Sequence, residues 1–350
     1  ELPSVHLPVI TYGKKPLTPD ILSIEATRPT SQNLWTVSWN GAGAVAYELQ
    51  ESMSPGFENA VPMDVGPQAT MSFNHPPTPY NEYYYRVRSK AGGVTGNWSE
   101  TLKVNGGYRD DFEDPNSGWE HDRNDIENSG MRRITHLDNV NAWYEFEPND
   151  IKWHLLEVHD RFDLGLVSPL REAPSIPYAI QLEMKSPDPA NMNGMGFVFA
   201  GDKRTDQCPQ DRYTVEGWYE HKDCFNQFYE VMLIENPAGE KRDLIAQRVA
   251  EVKWIGSGGS IPAHRVVDKQ WEKDDIPGVS WGDWDVLRAE VFADHIDIFV
   301  GERGKELRYQ LTMDENMYTA NPFFGTIATT QERPKATARF DYFEVMPLDN

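Results

Sequence analysis

The tightest constraint on this chain is a strict two-residue alternation of side-chain character between about residues 34 and 99. Thr36-Val37-Ser38-Trp39, Tyr47-Glu48-Leu49-Gln50-Glu51-Ser52 and Tyr83-Tyr84-Tyr85-Arg86-Val87-Arg88 all carry it. That period sends alternate side chains to opposite faces of an extended strand, and no helix can bury such a pattern on one side. Val37 and Trp39, Tyr47 and Leu49, and Tyr83, Tyr85 and Val87 are therefore predicted to face inward, with Arg86 and Arg88 in water. The 26 glycines and 25 prolines supply turns, and no stretch reads as an amphipathic helix longer than two turns.

These runs are followed by Gly96-Asn97-Trp98-Ser99. In the order Trp, Tyr-x-Leu, Tyr-x-Tyr-Arg-Val, Trp-Ser, the segment from about 18 to 106 resembles the fibronectin type III family. The resemblance implies a seven-stranded sandwich acting as a spacer or adhesion module. Asn97-Trp98-Ser99 also matches an N-glycosylation sequon, but its Trp-Ser pair is read here as structural.

From Tyr108 the composition changes. Asp110-Asp111-Phe112-Glu113-Asp114 leads to Gly118-Trp119, and Ala338-Arg339-Phe340-Asp341-Tyr342-Phe343-Glu344-Val345 closes the chain. Between them lie Tyr178–Met184, Gly194–Ala200, Phe228–Ile234, and Trp284–Val291 turning at Ala293-Asp294-His295 into Ile296–Gly301. In this order the segment 107–350 resembles the concanavalin A-like, laminin-G-like jelly-roll domains of secreted bacterial proteins. The resemblance implies two packed antiparallel sheets with the first and last strands as neighbours. The expected fold is all-β: a fibronectin type III sandwich, a larger jelly-roll sandwich, and an extended N-terminal arm.

That arm is residues 1–17. Val5, Leu7 and Val9 alternate with His6 and Pro8, and Gly13-Lys14-Lys15-Pro16 reads as a hinge. An apolar strand on a hinge suits donation to the edge of a sheet in a neighbouring copy, and head-to-tail donation builds a filament.

The net charge is -22. Residues 1–106 hold 9 acidic and 7 basic side chains, so almost all of the excess lies beyond them. So acidic a surface repels nucleic acid and anionic membranes. No apolar run is long enough to insert in a bilayer as a helix. The start at Glu1 fits a mature exported protein with its signal peptide removed, hence an extracellular or cell-surface location. Cys208 and Cys224 enclose 15 residues and are expected to form one disulfide, worth about 3 kcal/mol by loop entropy. With His221 they also have the residue types for zinc, although no fourth ligand is evident.

Glucanases of the jelly-roll superfamily use a Glu-x-Asp-x-Glu strand, and the sequence has none. Glu145-Phe146-Glu147 is too short, and Asp294-His295-Ile296-Asp297 falls at a turn. No catalytic residues are expected, and the chain is read as a non-enzyme. Asp110, Asp111, Glu113 and Asp341 offer the hard oxygen ligands of a structural calcium joining the first and last strands. Trp218 and Tyr219 sit in the segment between the cysteines, and Trp254, Trp271 and Trp281 in a second aromatic-bearing loop. Such rings stack on sugars or pack against a protein. The chain is thus expected to be an extracellular structural or adhesive subunit partnered by copies of itself. The alternative is a glycan-binding protein that takes extracellular polysaccharide on its C-terminal domain.

Overall fold

The computed structural model describes residues 21–41, 44–91, 93–114, 117–119, 132–137, 141–146, 162–167, 169, 171–187, 192–202, 227–235, 242–254, 263–279, 282–331 and 338–349. Every regular element among them is a strand. The arm residues Val5, Leu7 and Val9, the pair Cys208 and Cys224, and Trp218, Tyr219 and Trp281 lie outside the described residues. Backbone contacts divide the chain into two units. The first takes in residues up to Arg28, Trp35–Phe73 and Glu82–Val104. The second takes in Pro29–Leu34, Asn74–Asn81 and Asn105–Asn350.

The first eight strands are β1 (Ile21–Ala26), β2 (Leu34–Gly41), β3 (Ala46–Ser52), β4 (Met63–Gly66), β5 (Thr70–Asn74), β6 (Glu82–Ala91), β7 (Val94–Thr95) and β8 (Leu102–Asn105). They make two sheets, β1-β2-β5 and β4-β3-β6-β7, with β8 also on β6. The predicted inward set is the core: Val37, Trp39, Tyr47, Leu49, Tyr83, Tyr85 and Val87 are buried together with Trp35, Phe73 and Val104. Each such side chain contributes about 1.5–3 kcal/mol by leaving water. Buried polar tips are satisfied in series, with Trp35 Nε1 donating to the Tyr85 hydroxyl at 3.1 Å and that hydroxyl donating to Glu51 at 2.8 Å.

The second unit begins with β9 (Tyr108–Asp110), β10 (Arg132–Leu137), β11 (Asn141–Phe146), β12 (Phe162–Val167), β13 (Tyr178–Lys185), β14 (Met192–Gly201) and β15 (Phe228–Glu235). It continues with β16 (Arg242–Trp254), β17 (Ala263–Ile276), β18 (Asp285–Val291), β19 (Ile296–Glu302), β20 (Arg308–Met313), β21 (Phe323–Gln331) and β22 (Ala338–Pro347). One sheet runs β10-β11-β22-β13-β18-β19-β20 with β9 also on β22, and the other runs β12-β21-β14-β15-β16-β17. Opening and closing strands pair as expected, Asp110 opposite Phe343. Inward residues of both sheets, among them Leu182, Phe197, Phe199, Leu287, Phe340 and Phe343, form one core. This is the jelly-roll sandwich.

The second aromatic-bearing loop is corrected in part. Its stretch from Ala263 to Ile276, Trp271 included, is the edge strand β17, paired with β16 along its length. Asp268, Gln270, Glu272, Lys273, Asp274 and Asp275 are exposed, which made the segment look like a loop. Charged side chains are what an edge strand uses to deter pairing with another chain.

Candidate functional site

The acidic entrance folds inward rather than offering a ligand cage. Asp110 is buried, and its Oδ1 accepts from the Phe112 amide at 2.8 Å. Its Oδ2 accepts from the Tyr108 hydroxyl at 3.1 Å and the Trp119 indole at 2.9 Å. Burial raises this carboxyl above the usual range, and these donors pull against the rise. Phe112 adopts φ 60° as the chain turns back over the carboxylate. Asp111 is exposed and accepts from the Glu113 amide at 3.3 Å. Asp341 pairs instead with Arg303, whose guanidinium also takes Glu183 and lies over the Trp284 ring at 4.2 Å. Burial pushes the Glu183 carboxyl up against the pull of Arg303. Among the described residues no three acidic, His or Cys side chains group so as to hold a metal ion. Of the four expected ligands, Asp110 is taken up by internal donors and Asp341 by an arginine.

Trp254 ends β16 and Trp271 lies mid-way along β17. Trp271 turns toward the core side, half-buried. Its indole nitrogen donates to Asp314 at 2.9 Å, and the Lys269 ammonium stands 4.7 Å from its ring centre. Lys269 reaches Asp314 at 2.8 Å and Glu315 at 3.0 Å, while Arg248 binds Asp268 at 2.7 Å and also Glu315. The indole thus braces the β16–β17 hairpin against the chain after β20.

The opposite face of the six-stranded sheet carries a different chemistry. Val198, Phe228, Met232, Val249 and Ile327 form a second buried apolar cluster there, turned away from the main core. On the same face Glu230 stands opposite Gln247, and Gln247 opposite Gln270. Gln247 donates to Gln270, and Gln270 donates to Glu272. Glu230 is fully buried, Gln247 half-buried, and Gln270 and Glu272 exposed. A carboxylate–amide row therefore climbs from mid-sheet to the surface at β17. The reading of 263–276 as a loop hid it; the alternation of Ile245 and Gln247 against Gln270 and Glu272 was the available signal.

Of the two short acidic pairs, Asp294 and His295 sit in the β18–β19 turn, with His295 Nδ1 2.7 Å from Asp294 Oδ1 and its ring stacked on Phe292. Glu145 lies on β11 opposite Arg133.

No family model and no curated protein matches the chain. Solved structures do. The GH43 protein BlXynB of Bacillus licheniformis aligns at 11% identity and TM-score 0.39 over 93% of this chain, which spans 64% of that protein. A GH16 protein of Bacteroides ovatus, solved with a mixed-linkage glucan product, aligns at 10% identity and TM-score 0.41, covering 68% of this chain and 99% of that one. Lectin II of Ulex europaeus aligns at 9% identity and TM-score 0.39, covering 69% and 98%. The likeness goes to the jelly-roll fold and no further. Glycoside hydrolases stand among these structures beside a lectin, and the expectation of a non-enzyme is withdrawn.

Proposed function

We propose that the second unit recognises a polysaccharide outside the cell, with Gln247, Gln270 and Glu272 making the polar contacts. One observation carries this reading: the carboxylate–amide row that surfaces at β17 through Gln270 and Glu272. Sugars present ring hydroxyls that both donate and accept, together with apolar C–H faces. Planar amides and carboxylates match the hydroxyls. The solved structures add the fold alone. The filament subunit expected from the arm has no support, since Val5, Leu7 and Val9 lie outside the described residues.

Affinity electrophoresis through gels holding β-glucan, xylan or mannan tests the reading, with reducing ends followed in parallel to detect turnover. Retardation by one polymer, lost in the Gln270→Ala/Glu272→Ala double variant, is expected. Equal migration in every gel, or a double variant retarded like the parent, overturns it.

A further inference from the structure

In the first unit, the Arg86 guanidinium lies between two aromatic rings, 4.2 Å from the Phe57 centroid and 4.8 Å from that of Trp98. Its Nε donates to Gln50 at 2.7 Å, and Gln50 is held in turn by donating to the Ala60 carbonyl at 2.7 Å. Plane and azimuth of the guanidinium are thus both set. The neighbouring carboxylates are engaged elsewhere. Glu48 takes Arg88 and Lys90, Asp64 takes Lys90, Glu82 takes Lys103, Glu51 accepts from Tyr85, and Glu58 accepts from Ser54. Among the described residues no carboxylate pairs with Arg86, and its two terminal amino groups have no acceptor. An oriented guanidinium with its fork unused, in a chain with 55 acidic side chains, is a ready bidentate receptor.

A second observation is independent of the charge. Phe57 reaches the guanidinium from a left-handed backbone conformation, φ 57°, and Asn59 follows at φ 63°. For a bulky side chain that conformation is costly and persists only where surrounding contacts enforce it. Here the Phe57 amide bonds the Ser54 carbonyl and the Ala60 amide bonds the Phe57 carbonyl, both at 3.1 Å. On either side of this turn stand exposed apolar side chains, Met53 at 56% and Val61 at 77% exposure. Val61 follows Ala60, the residue that anchors Gln50. An arginine stacked on the partly exposed Trp98 and flanked by an exposed methionine has the composition of a protein-binding patch rather than of a solvated sheet face.

We propose that Arg86, Met53 and Val61 form a docking surface for a protein partner. An Asp or Glu of that partner seats on the Arg86 fork, and an aliphatic neighbour of it lies on Met53 and Val61. Charge complementarity selects the acid. The two exposed apolar side chains select a peptide over a polyanion that offers carboxylates alone.

A random-peptide phage library panned on the full-length chain at physiological salt supplies the probe. Enriched peptides are expected to pair an acidic with an aliphatic residue. Gln in place of the acid, or Arg86→Gln in the chain, should cost tenfold or more in affinity. Arg86→Lys should also weaken binding, because an ammonium cannot take a carboxylate as a fork does. Met53→Ser/Val61→Ser changes only exposed positions and should weaken binding several-fold at an unaltered melting temperature, so it decides the matter if the Arg86 variants fail to fold. Enrichment without acidic residues, binding indifferent to the double variant, or displacement of the peptide by oligogalacturonate at equal carboxylate concentration overturns the proposal.

Discussion

The indole nitrogen of Trp119 donates to Asp110 Oδ2 at 2.9 Å in a place where both residues are sealed from water. The same indole lies 2.9 Å from the Tyr108 hydroxyl, so one carboxylate organises the first strand of the second unit and the turn after it. Burial raises the Asp110 carboxyl, so the folded state keeps its proton to higher pH than the unfolded chain does. Its contribution is therefore fully present below about pH 4 and is lost as pH rises through the folded value. Asp110→Asn abolishes that titration. The stability advantage of the parent over this variant, read from urea midpoints, should shrink between pH 4 and 7. A difference independent of pH would refute the assignment. Asp110→Ala leaves buried donors unpaired and should cost about 2–4 kcal/mol.

Gly196 and Gly304 are needed for different reasons. A Cβ on Gly196 would stand 1.9 Å from the Val231 carbonyl oxygen, a backbone atom of the paired strand that cannot swing aside. Gly196→Ala should destabilise the sandwich by about 3 kcal/mol, at the upper end for overpacking a core. At Gly304 nothing lies within 4 Å, but φ is +75°. Gly304→Ala should cost only about 1–2 kcal/mol, the price of a left-handed turn for an L-residue. Chemical denaturation of the two variants side by side checks the ranking, and the reverse order would contradict this account.

Much of the fold was legible because burial follows the alternation. Tyr83, Tyr85 and Val87 are inside as their spacing predicts, and the β18–β19 hairpin turns at Ala293-Asp294-His295 as read. β17 was not legible. Its inner residue Trp271 pairs with Ala246, but its outer residues are those of an edge, so no apolar face shows in the sequence. The site was less legible still. An acidic run such as Asp110 to Asp114 looks the same whether its carboxylates hold a cation or cap a turn. Only burial of Asp110 against Trp119 separates the two. Likewise Phe57 and Trp98 are 41 positions apart and meet only through Arg86.

The brace at Trp271 sets a response to acid of opposite sign. The ammonium of Lys269, then the Trp271 indole, hold the Asp314 carboxyl down at about 2. A carboxylate lowered by folding stabilises above its unfolded value near 4, and that contribution is lost as pH falls through the folded one. As pH falls toward 2 the β16–β17 hairpin should therefore loosen from Asp314. Asp314→Asn should bring the same change forward to neutral pH, since a neutral amide neither attracts Lys269 nor draws the indole N–H as strongly. Near-ultraviolet circular dichroism between pH 2 and 7 follows it. In Trp271→Phe the acid-dependent tryptophan signal should be missing. A parent and an Asp314→Asn variant with superimposable titrations would show that Asp314 does not hold the hairpin. Because the pair is open to solvent, about 1 M salt should weaken it in the parent and leave the variant unchanged.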